Sequence, residues 1–135
     1  MSLAYLLDTN IASAAINEPR SVLGRRIFAF DRDAIATSIV VAGEMRFGAV
    51  KNPSPRLLRQ VEGFLGHLPV LAIEPPTEQR YAEIRAMLEE KGAPIGANDT
   101  WIAAHALALN LTLVTDNEAE FRRVDGLRVE NWLRE

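Results

Sequence analysis

The sequence predicts an α/β domain built on a mainly parallel sheet covered by helices on both faces, and three observations predict it. Short apolar runs alternate along the chain with stretches of helical periodicity, the order that folds into strand–helix–strand units. No low-complexity segment, internal repeat or shift in composition interrupts that alternation. The 135 residues are 48% hydrophobic and 24% charged, enough apolar mass for one core, so residues 1–135 are expected to form a single domain.

Each element follows from local pattern. "LAYLL" (3–7) reads as a buried first strand, followed by a helix from about Ile11 to Ile16 and another from about Arg20 to Phe30. "AIAT" (34–37) is a short second strand, and Ser38 is placed to cap a helix running to about Val50. "KNPSP" breaks the chain before the helix "RLLRQVEGFLGHL". "VLAIE" (70–74) is a third strand, and Thr77, after two prolines, is placed to cap the helix "EQRYAEIRAMLEEK", which ends near Gly92. The apolar segment from Ala97 to Leu109 is a further helix, terminated at Asn110. "LTLVT" (111–115) then forms a fourth strand, and "LRVENW" adds a fifth at an edge.

Composition narrows the function classes. With no cysteine there is no disulfide framework, thiolate nucleophile, zinc ribbon or iron–sulfur cluster, which suits a reducing cytosol. "MSLAYLLDTN" carries no basic n-region and its apolar run is broken by Asp8, so a soluble cytoplasmic protein without a membrane span is expected. A formal net charge of -3 argues against a general nucleic-acid coat protein, which binds through a basic surface. It leaves room for a nuclease whose acids are gathered in one metal site, and the cations here are mostly arginine, Lys51 and Lys91 being the only lysines.

In a parallel sheet, sites lie beyond the carboxyl ends of the strands. Asp8 directly follows "LAYLL" and Asp116 follows "LTLVT", so two carboxylates are delivered to one rim. Glu44 sits mid-helix with Val40, Val41, Phe47 and Gly48 as its helical neighbours, a face expected to pack against the sheet. Asp99 stands in the first turn of an apolar helix, below Ile102, Ala103 and Ala106, where the helix dipole favours an anion. Taken singly, the aspartates read as turn or cap residues, and the glutamate can lift its carboxylate to the surface. Taken together, without a matching buried lysine or arginine in those segments, they would form an uncompensated cluster if they met, one that a hard divalent cation such as Mg²⁺ or Mn²⁺ would resolve. Thr9, Ser38, Thr115 and Asn117 lie beside the acids and fit turn or cap roles better than carboxylate-orienting ones.

The segments "YLLDTNIAS" (5–13), "GEMRFGA" (43–49), "PIGANDTWIAAHALAL" (94–109) and "TLVTDNEAEFRRVDGLRVENW" (112–132) together resemble a PIN-domain ribonuclease of the VapC toxin family. That resemblance covers nearly the whole chain. It implies a three-layer α/β/α sandwich with a mainly parallel central sheet, an acidic quartet binding Mg²⁺ or Mn²⁺, and metal-dependent cleavage of RNA, often transfer RNA. It also implies a VapB-like antitoxin partner and a homodimer. By position Asp8, Glu44 and Asp99 match the regularly acidic sites. The fourth departs from the commonest pattern, which has asparagine at Asp116 and a glutamate before Phe121. Asp116 is preferred here because it stands at a strand end, while Glu120, beside Arg122 and Arg123, reads as a solvated acid. In this reading Asp8 and Asp99 hold the metal, Glu44 orients or deprotonates the attacking water, and Asp116 completes a second metal position.

Other features read as structural. His105 and Trp101 share an apolar helical face, His67 is the only other histidine, and both tryptophans fit core or interface positions. Arg46 suits a phosphate or partner contact and a surface ion pair equally. Two alternatives remain: a catalytically silent PIN-like binding module, and an aspartate-nucleophile phosphoryl-transfer protein. The second is disfavoured by Asn10, where a dehalogenase-like site wants an acid, and by the lack of a receiver's acidic pair and late lysine.

Overall fold

The computed structural model describes residues 2–133; Met1, Arg134 and Glu135 of the expected 1–135 domain lie outside the described residues. Five strands, β1 (Tyr5–Leu7), β2 (Ile35–Ser38), β3 (Val70–Leu71), β4 (Thr112–Val114) and β5 (Val129–Glu130), pair in the order β3-β2-β1-β4-β5. Every ladder is parallel, with Leu7 opposite Thr37 on one side and Val114 on the other. The helices are α1 (Thr9–Asn17), α2 (Val22–Ala29), α3 (Ile39–Lys51), α4 (Pro55–His67), α5 (Thr77–Glu90), α6 (Ala97–Ala108) and α7 (Glu118–Phe121). They cover the sheet as a three-layer α/β/α arrangement, and buried side chains from Leu6 to Trp132 join in one hydrophobic cluster.

Strand order positions the site. The chain leaves β1 toward β2 and β3, then returns to the opposite side of β1 for β4 and β5. The crevice at the carboxyl ends of β1 and β4 is therefore the point at which the winding reverses, where open α/β sheets take their ligands.

The strands are shorter than their apolar runs, for a physical reason visible at β3. Only Thr37↔Val70 and Ser38↔Leu71 pair, because beyond Ser38 the neighbouring chain has turned into α3 and offers no further ladder. "VLAIE" therefore yields two paired residues. The edge position expected for the fifth strand is observed.

Helix boundaries turn on caps. Asp8 caps α1 through the Ile11 amide at 2.9 Å, so that helix starts at Thr9, ahead of Ile11. Ser21 accepts from Gly24 N at 3.0 Å and starts α2 at Val22, two residues later than Arg20. A Cβ at Gly24 would stand 2.4 Å from the Pro19 carbonyl oxygen, so the tight entry into α2 requires glycine. Ser38 caps α3 through Val40 N, as expected. Thr77 is the first helical residue of α5 and not its cap; Pro76 precedes it without a side-chain cap bond, and Thr77 is buried. Asn110, with φ of 57°, ends α6 in the left-handed region that asparagine tolerates. The short helix α7, absent from the sequence reading, follows Asn117 and is anchored by the fully buried Phe121.

Ile102 is fully buried in α6, one turn past Asp99, so Ile102→Ala leaves a cavity under the site. Urea unfolding should show a loss of about 2–5 kcal/mol with little change in m-value.

Candidate metal centre

The site is built outward from Asp8. Its backbone N–H continues the central ladder to the Val114 carbonyl at 3.1 Å, which fixes the residue at the junction of β1 and β4. One carboxylate oxygen, Oδ1, caps α1, and the other, Oδ2, accepts a 2.5 Å hydrogen bond from the Thr115 hydroxyl. The side chain has no rotational freedom left. It is also dry: Asp8 is 3% exposed. Burial pushes its pKa from 3.8 up to about 6; the Thr115 and Ile11 hydrogen bonds oppose the rise, and the negative charges of Asp116 and Asp99 add to it.

Asp99 lies half-buried in the first turn of α6. The cap reading fails there, because Gly96 is the N-cap residue and no side chain bonds the free amides. Its pKa is raised, by burial first and then by the charges of Glu120 and Glu44. Glu44 does not face the sheet. The buried face of α3 is Val41, Ala42, Met45 and Ala49, whereas Phe47, one turn from Glu44, is 64% exposed. A helix with hydrophobic residues on two faces gives no single stripe by periodicity, which is why the expected packing was reversed. Glu44 Oε1 accepts from the Thr9 hydroxyl at 2.6 Å.

Asp116 is exposed at the end of β4 and accepts from Asn10 Nδ2 at 3.3 Å. Glu120 is half-buried and accepts from the Asn117 side-chain Nδ2, with its charge felt at Asp99. The expectation of a solvated Glu120 is therefore corrected: α7 turns it inward, while Arg122 pairs with Glu118 and Arg123 reaches the Pro94 carbonyl. Asp116 acts on Asp8 and Glu120 acts on Asp99, so both flank the cluster from different sides.

Thr9 and Thr115 were expected as turn or cap residues, and both donate to an acid of the cluster instead. Thr115 also accepts from the Asn117 amide at 2.9 Å, so the turn role and the carboxylate role coexist. Asn10 joins the site without being a sequence candidate for it; the one signal for it in the sequence is its place two residues after Asp8, in the first turn of α1. His105 is buried against Ser38 at 2.9 Å, with its pKa lowered by burial, and Trp132 packs on Tyr5 and Phe30 beneath the Arg26 guanidinium. Arg46 pairs with Glu62 on the surface.

Among the described residues, none of Asp8, Glu44, Asp99, Asp116 and Glu120 has an ion-pair partner. Nor do three of them converge as a preformed metal cage. The donor set nevertheless fits a hard divalent cation: all are carboxylate oxygens, one is desolvated, and their mutual repulsion has no protein cation to offset it.

The PIN-domain family model matches residues 5–127. A ribonuclease VapC2 of Rickettsia felis is 38% identical over 132 residues, spanning 96% of this chain and 98% of its own. A tRNA(fMet)-specific endonuclease VapC of Shigella flexneri is 39% identical with the same coverage. Of solved structures, DNA-bound VapBC from Salmonella typhimurium superposes with a TM-score of 0.91 at 36% identity, covering 96% of this chain and 98% of that one.

A neutral Asp8 is favoured by the metal-free fold, so the stability this group contributes is fully present below about pH 4 and lost as pH rises through about 6. In EDTA, Asp8→Asn should therefore unfold about 1–3 kcal/mol harder than wild type at pH 7.5. The gap should close toward pH 4. A variant less stable than wild type at pH 7.5 would show that Asp8 is adequately compensated without metal.

Proposed function

The chain belongs to the PIN-domain family, and from that membership we propose that it is a Mg²⁺- or Mn²⁺-dependent endoribonuclease, the toxin of a toxin–antitoxin pair. The observation that carries this reading is the buried Asp8 carboxylate, held at the β1–β4 junction among acids with no cation to balance them. Residues 1–135 act as a single PIN domain in a cytoplasmic protein; no helix among the described residues is long and apolar enough to cross a membrane.

Asp8 and Asp99 would hold the cation, with Glu44 and Asp116 completing the donor set and Glu120 adding charge beside Asp99. When bound, the cation lowers the pKa of water and offsets charge developing on phosphate oxygens. The chain's own residues supply the rest. Thr115 and the cap of α1 fix the Asp8 oxygens, and Thr9 restrains Glu44, which orients the attacking water and takes its proton. The substrate is RNA, and the Shigella relative's name favours transfer RNA.

A VapB-like antitoxin is the proposed partner, supported by the VapBC complexes among the structural relatives. An apolar groove framed by Ile16, Phe28, Gly63 and Phe64 of α1, α2 and α4 offers it a seat. The chain should co-purify with its neighbouring gene product, and light scattering at tens of micromolar should report a homodimer in its absence.

The metal reading is tested on Asp99, which is not a cap. At about ten times its dissociation constant, Mg²⁺ should stabilise wild type by roughly 1.4 kcal/mol, a melting shift of about 3–5 °C. Asp99→Asn should lose most of that shift and its cleavage of total tRNA. Equal shifts in both proteins, with cleavage retained, would remove Asp99 from the site.

A further inference from the structure

A cleft of about 550 Å³ opens between α3 and the first turn of α6, within the size range of small-ligand pockets. Thr9 and Glu44 of the acidic cluster line it, together with Ile39, Gly43 and Phe47 of α3 and Asn98 of α6. Its apolar side chains are unusually bare: Phe47 is 64% exposed and Ile39 49%. Lys51 Nζ stands 5.8 Å from the Phe47 ring centroid and, among the described residues, pairs with no acid. The exposed side-chain amide of Asn98, next to Asp99, makes no hydrogen bond to another side chain or to the backbone among the described residues.

Gly43 lines the cleft, and no protein atom lies within 4 Å of where a Cβ would stand, an open surround it shares with Gly48, Gly63 and Gly66. Its lack of a side chain leaves the α3 backbone bare toward the cleft.

We propose that this cleft is the subsite for one unstacked nucleobase of a single-stranded RNA segment, adjoining the phosphate at the acidic cluster, with Phe47 as its stacking face. The proposal rests on the ribonuclease reading above. A base offers a flat apolar face to Phe47 and Ile39 and a polar edge to Asn98, and its neighbouring phosphate meets Lys51. A second copy of the chain fits less well, because seating it on Phe47 would seal the Glu44 carboxylate, which pairs with no cation among the described residues, into a dry interface.

The test uses a seven-nucleotide random-sequence single-stranded RNA, its binding followed by anisotropy with Mg²⁺, and total tRNA for cleavage. Phe47→Ala should weaken binding by about tenfold or more and slow cleavage in proportion. Gly43→Ala should melt about 2–4 °C higher than wild type and still bind roughly tenfold more weakly, because its methyl group occupies the subsite. Val50→Ala, an exposed apolar change on the same helix outside the cleft, should stay within about twofold of wild type. If wild type cuts tRNA while Phe47→Ala and Gly43→Ala bind and cut as well as it does, the subsite is wrong and the ribonuclease reading stands. If wild type neither binds nor cuts RNA with Mg²⁺ or Mn²⁺, both fall. If Phe47→Ala converts a dimer to a monomer with RNA affinity unchanged, the cleft belongs to a second copy and the proposal is overturned.

Discussion

A carboxylate with 3% exposure, pinned at the junction of the two central strands, sets the terms for everything around it. Its amide completes the β1–β4 ladder, one oxygen starts α1, and the other holds the Thr115 hydroxyl. Those three bonds leave Asp8 no route to water, so its charge must be met where it stands or be neutralised by a proton. The neighbouring groups whose charge reaches it, Asp116 and Asp99, are themselves acidic. Local folding thus benefits from an oxygen at this position for the cap, while the electrostatics of the metal-free chain oppose the ionised form. The divalent cation proposed above would reconcile the two demands.

The sheet's winding makes this possible. Because β1 lies between β2 and β4, its carboxyl end is flanked by chain from both halves, and α1, α3, α6 and the β4–α7 turn all start near it. Helix starts carry free amides and positive dipole ends, which lower the cost of gathering acids without supplying a full counter-charge. The cost of gathering several carboxylates at this rim is lowered accordingly.

Much of this was legible in the sequence. Buried parallel strands read as short apolar runs, and Asp8 and Asp116 sit where such runs stop, so their delivery to one rim needed only the rule about carboxyl ends. Strand lengths were not legible, because pairing at β3 ends where its neighbour becomes α3, a fact about another segment. The facing of Glu44 was misread for a related reason: α3 carries apolar residues both toward the core and toward the open cleft, and periodicity cannot say which face meets the sheet. Thr9 and Thr115 look like ordinary first-turn and strand-end hydroxyls, and their carboxylate partners lie far away in sequence. Glu120 was hidden by α7, whose four residues are too few for a periodic signal.

Asp116 and Glu120 looked like competitors for one position when only their spacing was known. In space they address different members of the cluster, Asp116 beside Asp8 and Glu120 beside Asp99. Their supports differ as well. Asp116 leaves the rigid end of β4 but is exposed and held by one long hydrogen bond from Asn10. Glu120 rides on a single turn of helix, yet Phe121 beside it is fully buried and Asn117 bridges its carboxylate to the turn whose amide bonds Thr115. A chain of hydrogen bonds therefore runs from Asp8 through Thr115 and Asn117 to Glu120, and among the described residues no such chain reaches Asp116. An acid tied through that chain to the buried carboxylate keeps its position when charge at the centre changes, whereas an exposed one is free to swing toward a cation or away from it. On physical grounds Glu120 belongs to the fixed part of the cluster and Asp116 to its adjustable edge.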